Sequence, residues 1–166
     1  MEAAKQGKIQ PILLRLSPGI DPHTHAKIST GSVDSKFGVA IETGQAKELC
    51  QKALQKKHVS LKGFHCHIGS QIFESEPFCD AAIIMLDFIA QIKQELSFET
   101  EILNLGGGMG VPYTASDPVI DYAANIAHIG ALIDAKCAEY GLTKLWSNSY
   151  EEPPYNICNS FLLSVA

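Results

Sequence analysis

Arginine is nearly absent from this sequence, since Arg15 is the only one among 166 residues. The formal net charge is -5 and the pI is about 5.6. Binding to a phosphate backbone or to an anionic membrane surface needs clustered lysine and arginine side chains. The composition therefore argues against nucleic acid, and against a membrane, as the main partner.

The sequence also lacks paired cysteines and long apolar runs. Its five cysteines are odd in number and widely spaced, without a Cys-x-x-Cys pair that would suggest zinc or a redox dithiol. No stretch approaches the roughly 20 apolar residues of a membrane span, and the charged start lacks the apolar core of a signal peptide. We therefore expect a soluble protein in a reducing compartment, the cytoplasm.

Short apolar runs alternate with amphipathic stretches along the chain. The composition, 46% hydrophobic and 19% charged, fits one globular domain over residues 1–166. The pattern predicts strands that start near residues 12, 59, 101 and 143, and a final apolar run over 157–165. It predicts helices over about 43–57, with Thr43 as N-cap, 77–96 and 118–140. This alternation is typical of an α/β protein with a parallel sheet, either doubly wound or part of a (β/α)8 barrel.

Two stretches end an apolar run with residues that are better suited to binding than to packing. His65 and His67 lie in Leu-Lys-Gly-Phe-His-Cys-His-Ile-Gly-Ser-Gln over 61–71, and three glycines lie in Leu-Asn-Leu-Gly-Gly-Gly-Met-Gly over 103–110. In parallel α/β sheets, ligand residues belong at the carboxyl ends of the strands. We therefore expect Arg15, the histidines and the glycines to share one binding edge.

Each candidate residue also has a purely structural interpretation. Gly106, Gly107 and Gly108 let N–H groups converge on an anion, or they form a tight strand-to-helix turn. Ser70 donates to a phosphate, or it is an ordinary turn or N-cap serine. Arg15, inside an apolar run, binds an anion or forms a structural ion pair. Taken together, the residues suggest a site for a planar phosphorylated molecule.

The histidine pair allows a metal site as an alternative. Because alternate residues of a strand share a face, His65 and His67 point the same way. The remaining histidines are His23, His25, His58 and His128. None of these sits at another predicted strand end, so zinc would lack ligands, and a metal-dependent barrel hydrolase is the weaker hypothesis. Otherwise one ring packs in the structure and the other lies flat against a planar ligand.

In their order and spacing, these motifs resemble those of the pyridoxal-phosphate decarboxylases with an alanine-racemase-like barrel. The matching segments lie at 14–19, 30–31, 34–38, 65–71 and 103–110. The motif His-Cys-His-Ile-Gly-Ser-Gln and the long loop after Pro18 favour the diaminopimelate decarboxylase branch over the ornithine branch. The resemblance implies a partial (β/α)8 barrel of the alanine-racemase type, with about four to five βα units.

The resemblance also implies roles at a pyridoxal 5'-phosphate cofactor. His67 would stack on the pyridine ring, and Ser70 with the loop Gly106 to Gly108 would hold the phosphate. Arg15 would lie near the phenolic oxygen, and Glu152 would pair with the pyridine nitrogen. The implied reaction converts meso-2,6-diaminopimelate to L-lysine and CO2 in lysine biosynthesis. The implied partners are a small amino acid substrate and a second subunit in a homodimer.

The sequence departs from the family pattern in three places. Glu152-Pro153-Pro154-Tyr155 stands about where the family has Glu-Pro-Gly-Arg, which removes an N–H and a positive charge, and the register of Glu151 against Glu152 stays open. The family's Schiff-base lysine falls before the equivalent of Met1. The family's C-terminal β domain is missing as well.

These departures predict a central barrel segment that has no decarboxylase activity alone. A second hypothesis is a non-catalytic paralogue that binds the cofactor or pairs with an active decarboxylase. Because part of a barrel exposes unpaired sheet edges, we expect aggregation, or assembly with a partner.

Overall fold

The computed structural model describes residues 2–20, 37–143 and 161–164, the last of these for the backbone only. The strands are β1 (Gln10–Ser17), β2 (Val39–Ala40), β3 (Val59–His65), β4 (Ile102–Gly106) and β5 (Phe161–Ser164). The helices are α1 (Glu2–Lys5), α2 (Gln45–Leu54), α3 (Glu76–Leu96) and α4 (Tyr122–Glu139). Among the described helices, none combines the length and the apolar composition that crossing a membrane requires.

The strands form one sheet in the order β2-β1-β3-β4-β5. β1 pairs in parallel with both β2 and β3, and β3 pairs in parallel with β4. α2 connects β2 to β3, and α3 connects β3 to β4, as successive βαβ units require. The α/β class and the parallel arrangement are therefore confirmed for these four strands.

The far edge of the sheet differs from the sequence prediction. β5 pairs with β4 in the antiparallel sense, so the sheet is not parallel throughout. The predicted strand near residue 143 falls largely outside the described residues, and Leu142 and Thr143 at its start are not in a strand. α1 and β2 were not predicted, because four and two residues are too short to show a periodicity.

The start of α2 is a second correction. The helix begins at Gln45, with Gly44 at the N-cap position in a left-handed conformation, φ 77°. The Thr43 hydroxyl donates to the carbonyl oxygen of Ala40 at 3.3 Å instead of capping the helix. The prediction of Thr43 as N-cap is therefore wrong, because the left-handed turn at glycine moves the first helical residue further along the chain.

The core lies between the sheet and its helices. Alternate strand residues face this layer and are buried, namely Leu14, Leu16, Phe64, Leu103 and Leu105. The ring of Phe64 packs edge-on against Phe88 of α3, with ring centroids 5.3 Å apart, and against Phe98 at 6.2 Å. Edge-to-face aromatic pairs add about 0.5–1.5 kcal/mol to the effect of burial. This aromatic cluster fixes α3 on the sheet.

The opposite face of the sheet carries different side chains. Residues between the buried ones, including Arg15, His65 and Asn104, are only partly buried. Because side chains alternate along a strand, these three belong to the second face. The fold therefore separates an apolar face that packs on helices from a polar face that is available for a ligand.

Candidate functional site

Three neighbouring strands place polar side chains in one row. Parallel pairing sets Arg15 of β1 opposite His65 of β3, and His65 opposite Asn104 of β4. Adjacent strands lie about 4.8 Å apart, so these side chains are direct neighbours. The row lies at or near the carboxyl ends of the strands, where the sequence predicts a binding edge.

Arg15 contributes a positive charge to this row. Its guanidinium carbon lies 5.2 Å from the ring centroid of Phe37, in a cation–π contact. Among the described residues, no carboxylate forms an ion pair with Arg15. The structural ion pair considered for this residue therefore has no support in the described part of the chain.

His67 lies just beyond β3 and contacts the glycine loop. Its ring donates a hydrogen bond to the carbonyl oxygen of Gly107. Partial burial lowers the pKa of His67 most, and the charges of Arg15 and His65 lower it further. The lowered pKa favours the neutral form of the imidazole.

His65 holds a buried ring nitrogen, Nδ1, that has no hydrogen-bond partner within the described residues. Buried polar atoms are normally paired, so this nitrogen marks an incomplete polar environment at the site. No third histidine, cysteine, aspartate or glutamate joins His65 and His67 to form a metal site in the described ranges. The zinc hypothesis thus has no support there.

The loop after β4 depends on glycine for its shape. Gly106 and Gly108 both adopt left-handed backbone conformations, with φ 77° and φ 111°. A Cβ on Gly106 would lie 2.6 Å from the carbonyl oxygen of Cys66, and a Cβ on Gly108 would lie 1.9 Å from that of Gly69. Both distances are too short for a side chain. The loop after β3, which contains Cys66 and Gly69, and the loop after β4 therefore approach this closely only because Gly106 and Gly108 have no side chains.

Asn104 is a site residue that the sequence prediction missed. Its side-chain oxygen accepts a hydrogen bond from the N–H of Gly106 at 2.8 Å and so sets the turn out of β4. The N–H groups of Gly107 and Gly108 have no partner among the described residues. Of the glycines Gly106 to Gly108, the last two therefore keep N–H groups that a ligand can use. A polar residue at an alternate position inside an apolar strand was the signal that could have identified Asn104.

The two loops enclose a cavity of about 510 Å³, which is in the usual range for small-molecule sites. Its lining includes Arg15, His65, His67, Ser70 and the glycines Gly106 to Gly108. Gln71, Met109, Val111 and Tyr113 complete the lining, and none of these was singled out for a role from the sequence. All six of the described candidates therefore gather with His65 in one cavity.

Two candidates need separate comment. Ser70 is exposed and is not a helix N-cap, because α3 begins at Glu76 and has Ser75 at that position. Its Cα lies 3.4 Å from the place where a Cβ of Gly108 would be. Glu152 lies outside the described residues, so its predicted contact with a cofactor stays a prediction.

Comparison with known families identifies what this arrangement belongs to. The family model "Pyridoxal-dependent decarboxylase, pyridoxal binding domain" matches residues 2–149. The chain belongs to the pyridoxal-dependent decarboxylase family. This membership confirms the resemblance inferred from the motifs, and it confirms pyridoxal phosphate as the cofactor for which the family's domain is named.

Curated diaminopimelate decarboxylases are among the relatives of this family member. The Bacillus subtilis enzyme is 37% identical over 137 residues, which are 81% of this chain and 31% of that enzyme. The Halalkalibacterium halodurans enzyme is 46% identical over 114 residues, which are 67% of this chain and 26% of that enzyme. The chain thus spans less than a third of the length of these curated relatives.

Solved structures of the family agree with the fold. Diaminopimelate decarboxylase from M. jannaschii in co-complex with L-lysine superposes with a TM-score of 0.69 at 36% identity, covering 84% of this chain and 31% of that chain. Lysine decarboxylase from Selenomonas ruminantium superposes with a TM-score of 0.64 at 23% identity, covering 80% and 32%. At that lower identity the similarity shows the fold alone. The predicted partial barrel is therefore confirmed.

Proposed function

We propose that the chain forms the cofactor-binding part of a diaminopimelate decarboxylase, the enzyme that converts meso-2,6-diaminopimelate to L-lysine and CO2. The observation that carries the proposal is that His67, Ser70, Gly107 and Gly108 line one cavity, and that the N–H groups of the two glycines have no partner among the described residues. Relatives with that activity match most of this chain at 37–46% identity.

The cavity fits a phosphorylated planar molecule in volume and in chemistry. Two glycine N–H groups, a serine hydroxyl and a guanidinium are the donors that a phosphate ester and a phenolic oxygen need. The neutral ring of His67 supplies a flat surface beside these donors.

Each residue then has a specific task in holding pyridoxal phosphate. Ser70, Gly107 and Gly108 would bind the phosphate, while Gly106 would contribute through its shape because Asn104 already occupies its N–H. His67 would lie against the pyridine ring, and its bond to Gly107 would fix the orientation of the imidazole.

Arg15 would lie near the phenolic oxygen, with Phe37 limiting the directions in which its guanidinium can turn. Glu152 would pair with the pyridine nitrogen. When bound, pyridoxal phosphate supplies the electron sink for the electron pair that remains after CO2 leaves an amino acid. The described residues contribute binding and orientation to that chemistry.

Binding of pyridoxal phosphate to the purified 166-residue chain tests the proposal directly. Equilibrium dialysis should show saturable binding that inorganic phosphate displaces, because the phosphate donors lie within the described loops. Absence of saturable binding would refute the proposed role. We expect no CO2 release from diaminopimelate above that of free cofactor, since no lysine of this chain sits in the family's lysine motif.

A non-catalytic paralogue is a second candidate function. The replacement of Gly-Arg by Pro154-Tyr155 favours it. Specific co-purification of the chain with a full-length decarboxylase would support this role, and an independent chain that never associates with one would count against it.

The cellular setting follows from the same chemistry. The four described cysteines, Cys50, Cys66, Cys79 and Cys137, are buried, and no disulfide joins any two of them. Burial raises the pKa of Cys50 to about 11 and that of Cys66 to about 12, so neither thiolate forms at pH 7. We infer from these reduced thiols that the protein is cytoplasmic.

Three further proposals go with the proposed function. Residues 1–166 form a single domain, the substrate is a small amino acid, and the partner is a second subunit.

A further inference from the structure

Gln71 closes the motif over 65–71 and has no task in the function proposed above. Its side chain joins the loop after β3 to the loop after β4 through a single residue, Val111. Nε2 of Gln71 donates to the carbonyl oxygen of Val111 at 3.1 Å, and Oε1 accepts from the N–H of Val111 at 3.0 Å. The side-chain amide therefore satisfies both backbone groups of one residue in the facing loop.

The backbone of Gln71 adopts a conformation that is unusual for its residue type. Its φ is 58°, and the described residues include only one other non-glycine with positive φ, Ser97. Glycine adopts this conformation far more readily than a residue with a Cβ. Glutamine at this position therefore carries a backbone cost that glycine would avoid. The two hydrogen bonds of its side chain to Val111 offset that cost.

The contacts next to Gln71 lie directly beside the candidate phosphate donors. The N–H of Ile72 donates to the carbonyl oxygen of Gly108 at 3.0 Å, and the N–H of Gly110 donates to the carbonyl oxygen of Ile72 at 2.8 Å. Ser70 immediately precedes Gln71, so its hydroxyl and the N–H of Gly108 belong to two loops that meet here. The relative position of these donors depends on how firmly the loops are joined.

We infer that Gln71 is a positioning residue that locks the two loops together, so that Ser70 and the last two glycines present one preformed anion site. The identity of the anion, the phosphate of the cofactor, rests on the proposed function. The coupling of the loops does not depend on that identity and can be measured without any ligand.

Amide hydrogen exchange of the full 166-residue chain without ligand tests the coupling. We compare Gln71→Ala, Gln71→Gly and Gln71→Glu with the parent chain, following the amides of Ile72, Gly110 and Val111. Each neutral hydrogen bond shifts an equilibrium by roughly two- to tenfold. We therefore expect about tenfold faster exchange at Val111 in the Ala and Gly variants. The Glu variant should change less, because a carboxylate still accepts from the N–H of Val111.

The glycine variant separates positioning from a simple turn role. It relieves the positive φ, so a residue that only forms the turn would give unchanged or slower exchange in Gln71→Gly. Faster exchange despite that relief supports the lock. The matched control is Gln91→Ala on α3, which removes a similar side-chain amide whose hydrogen bond goes to Glu95 of the same helix and not to either loop. It should leave the exchange of the loop amides unchanged.

Equilibrium dialysis with pyridoxal phosphate, and separately with inorganic phosphate, tests whether the lock serves the anion site. We expect both to bind about tenfold more weakly to the Ala and Gly variants, and equally well to Gln91→Ala and the parent. Unchanged exchange in both variants, or affinities within twofold of the parent, would overturn the inference. If the parent binds neither probe, the proposed function and the anion role both fail, while the exchange data still decide the coupling.

Discussion

The helix-covered face of the sheet and the cavity face hold their residues in place by different means. On the covered face, Phe64 and its apolar neighbours are positioned by contact with one another, and similar apolar side chains could share the task. On the cavity face, backbone groups, an asparagine amide and a glutamine amide hold the loops through directional hydrogen bonds. Substitutions on the first face should therefore act mainly on stability, whereas substitutions on the second should act mainly on binding and cost less stability.

The largest effect on stability is expected for Phe64→Ala. The ring is fully buried and packs on Phe88 and Phe98, so its removal leaves a cavity that costs about 3–5 kcal/mol. Urea denaturation should show this loss in the free energy of unfolding. The control is Tyr113→Ala, whose side chain is 80% exposed and whose removal should change stability by less than about 0.5 kcal/mol. Equal losses in the two variants would contradict the distinction.

Gly108→Ala should produce the largest effect on binding. Its new Cβ would lie 1.9 Å from the carbonyl oxygen of Gly69, so the loops must move apart. Such overpacking costs about 1–3 kcal/mol, and we expect pyridoxal phosphate to bind roughly 10- to 100-fold more weakly. Gly7→Ala is the control, because Gly7 also has positive φ, 63°, but nothing lies within 4 Å of its added Cβ. If Gly108→Ala binds as tightly as Gly7→Ala, the loop contact is not needed.

A smaller effect is expected for Asn104. The change Asn104→Ala removes the acceptor for the N–H of Gly106 and should lower the free energy of unfolding by about 1 kcal/mol. The change Asn104→Asp keeps an acceptor and should restore most of that stability, yet its negative charge should weaken phosphate binding. Chemical denaturation and dialysis of the three proteins separate the two effects. Failure of aspartate to restore stability would argue against the turn role.

The smallest effect concerns the titration of His67, which NMR can follow. Burial and the charge of Arg15 lower its pKa in the folded chain, so Arg15→Gln should raise that pKa toward the usual value of about 6.5. The sign follows from proton binding, because the unfolded chain binds more protons than the folded one as pH falls below about 6.5. Stability should therefore fall as pH is lowered through that range, and it should fall less steeply in Arg15→Gln. An unchanged pKa in the variant would remove Arg15 as a cause.

The covered face could be predicted well because it depends on periodicity. Apolar spacing placed the start of β3 near residue 59 and α3 at 77–96, within a residue of the observed bounds. Packing needs only the right residue type on the right side, and a strand or helix repeat carries that information. Thr43 shows the limit, because a left-handed glycine next to it shifted the start of the helix.

The cavity face was predicted only in part because it depends on strand register and on single backbone angles. His67 and the glycines were identified from motifs, yet the alignment of Asn104 with His65 and Arg15 depends on pairing between distant strands. The hydrogen bonds between Gln71 and Val111 accompany a φ of 58° at Gln71, and a glutamine in a sequence gives no indication of positive φ. Neither the register between paired strands nor a positive φ in a non-glycine residue can be predicted reliably from a single sequence.

The row of Arg15, His65 and Asn104 also constrains when the site can appear during folding. The three residues belong to strands far apart in sequence, joined only by parallel pairing across intervening helices. Non-local contacts of this kind form late, because the chain must first lose the entropy of closing long loops. Helices α2 and α3 can form from local contacts before the row exists. In a refolding experiment, we therefore expect the helical circular dichroism signal to appear before the chain can bind ligand. The cofactor would then bind only to chains whose sheet has already formed.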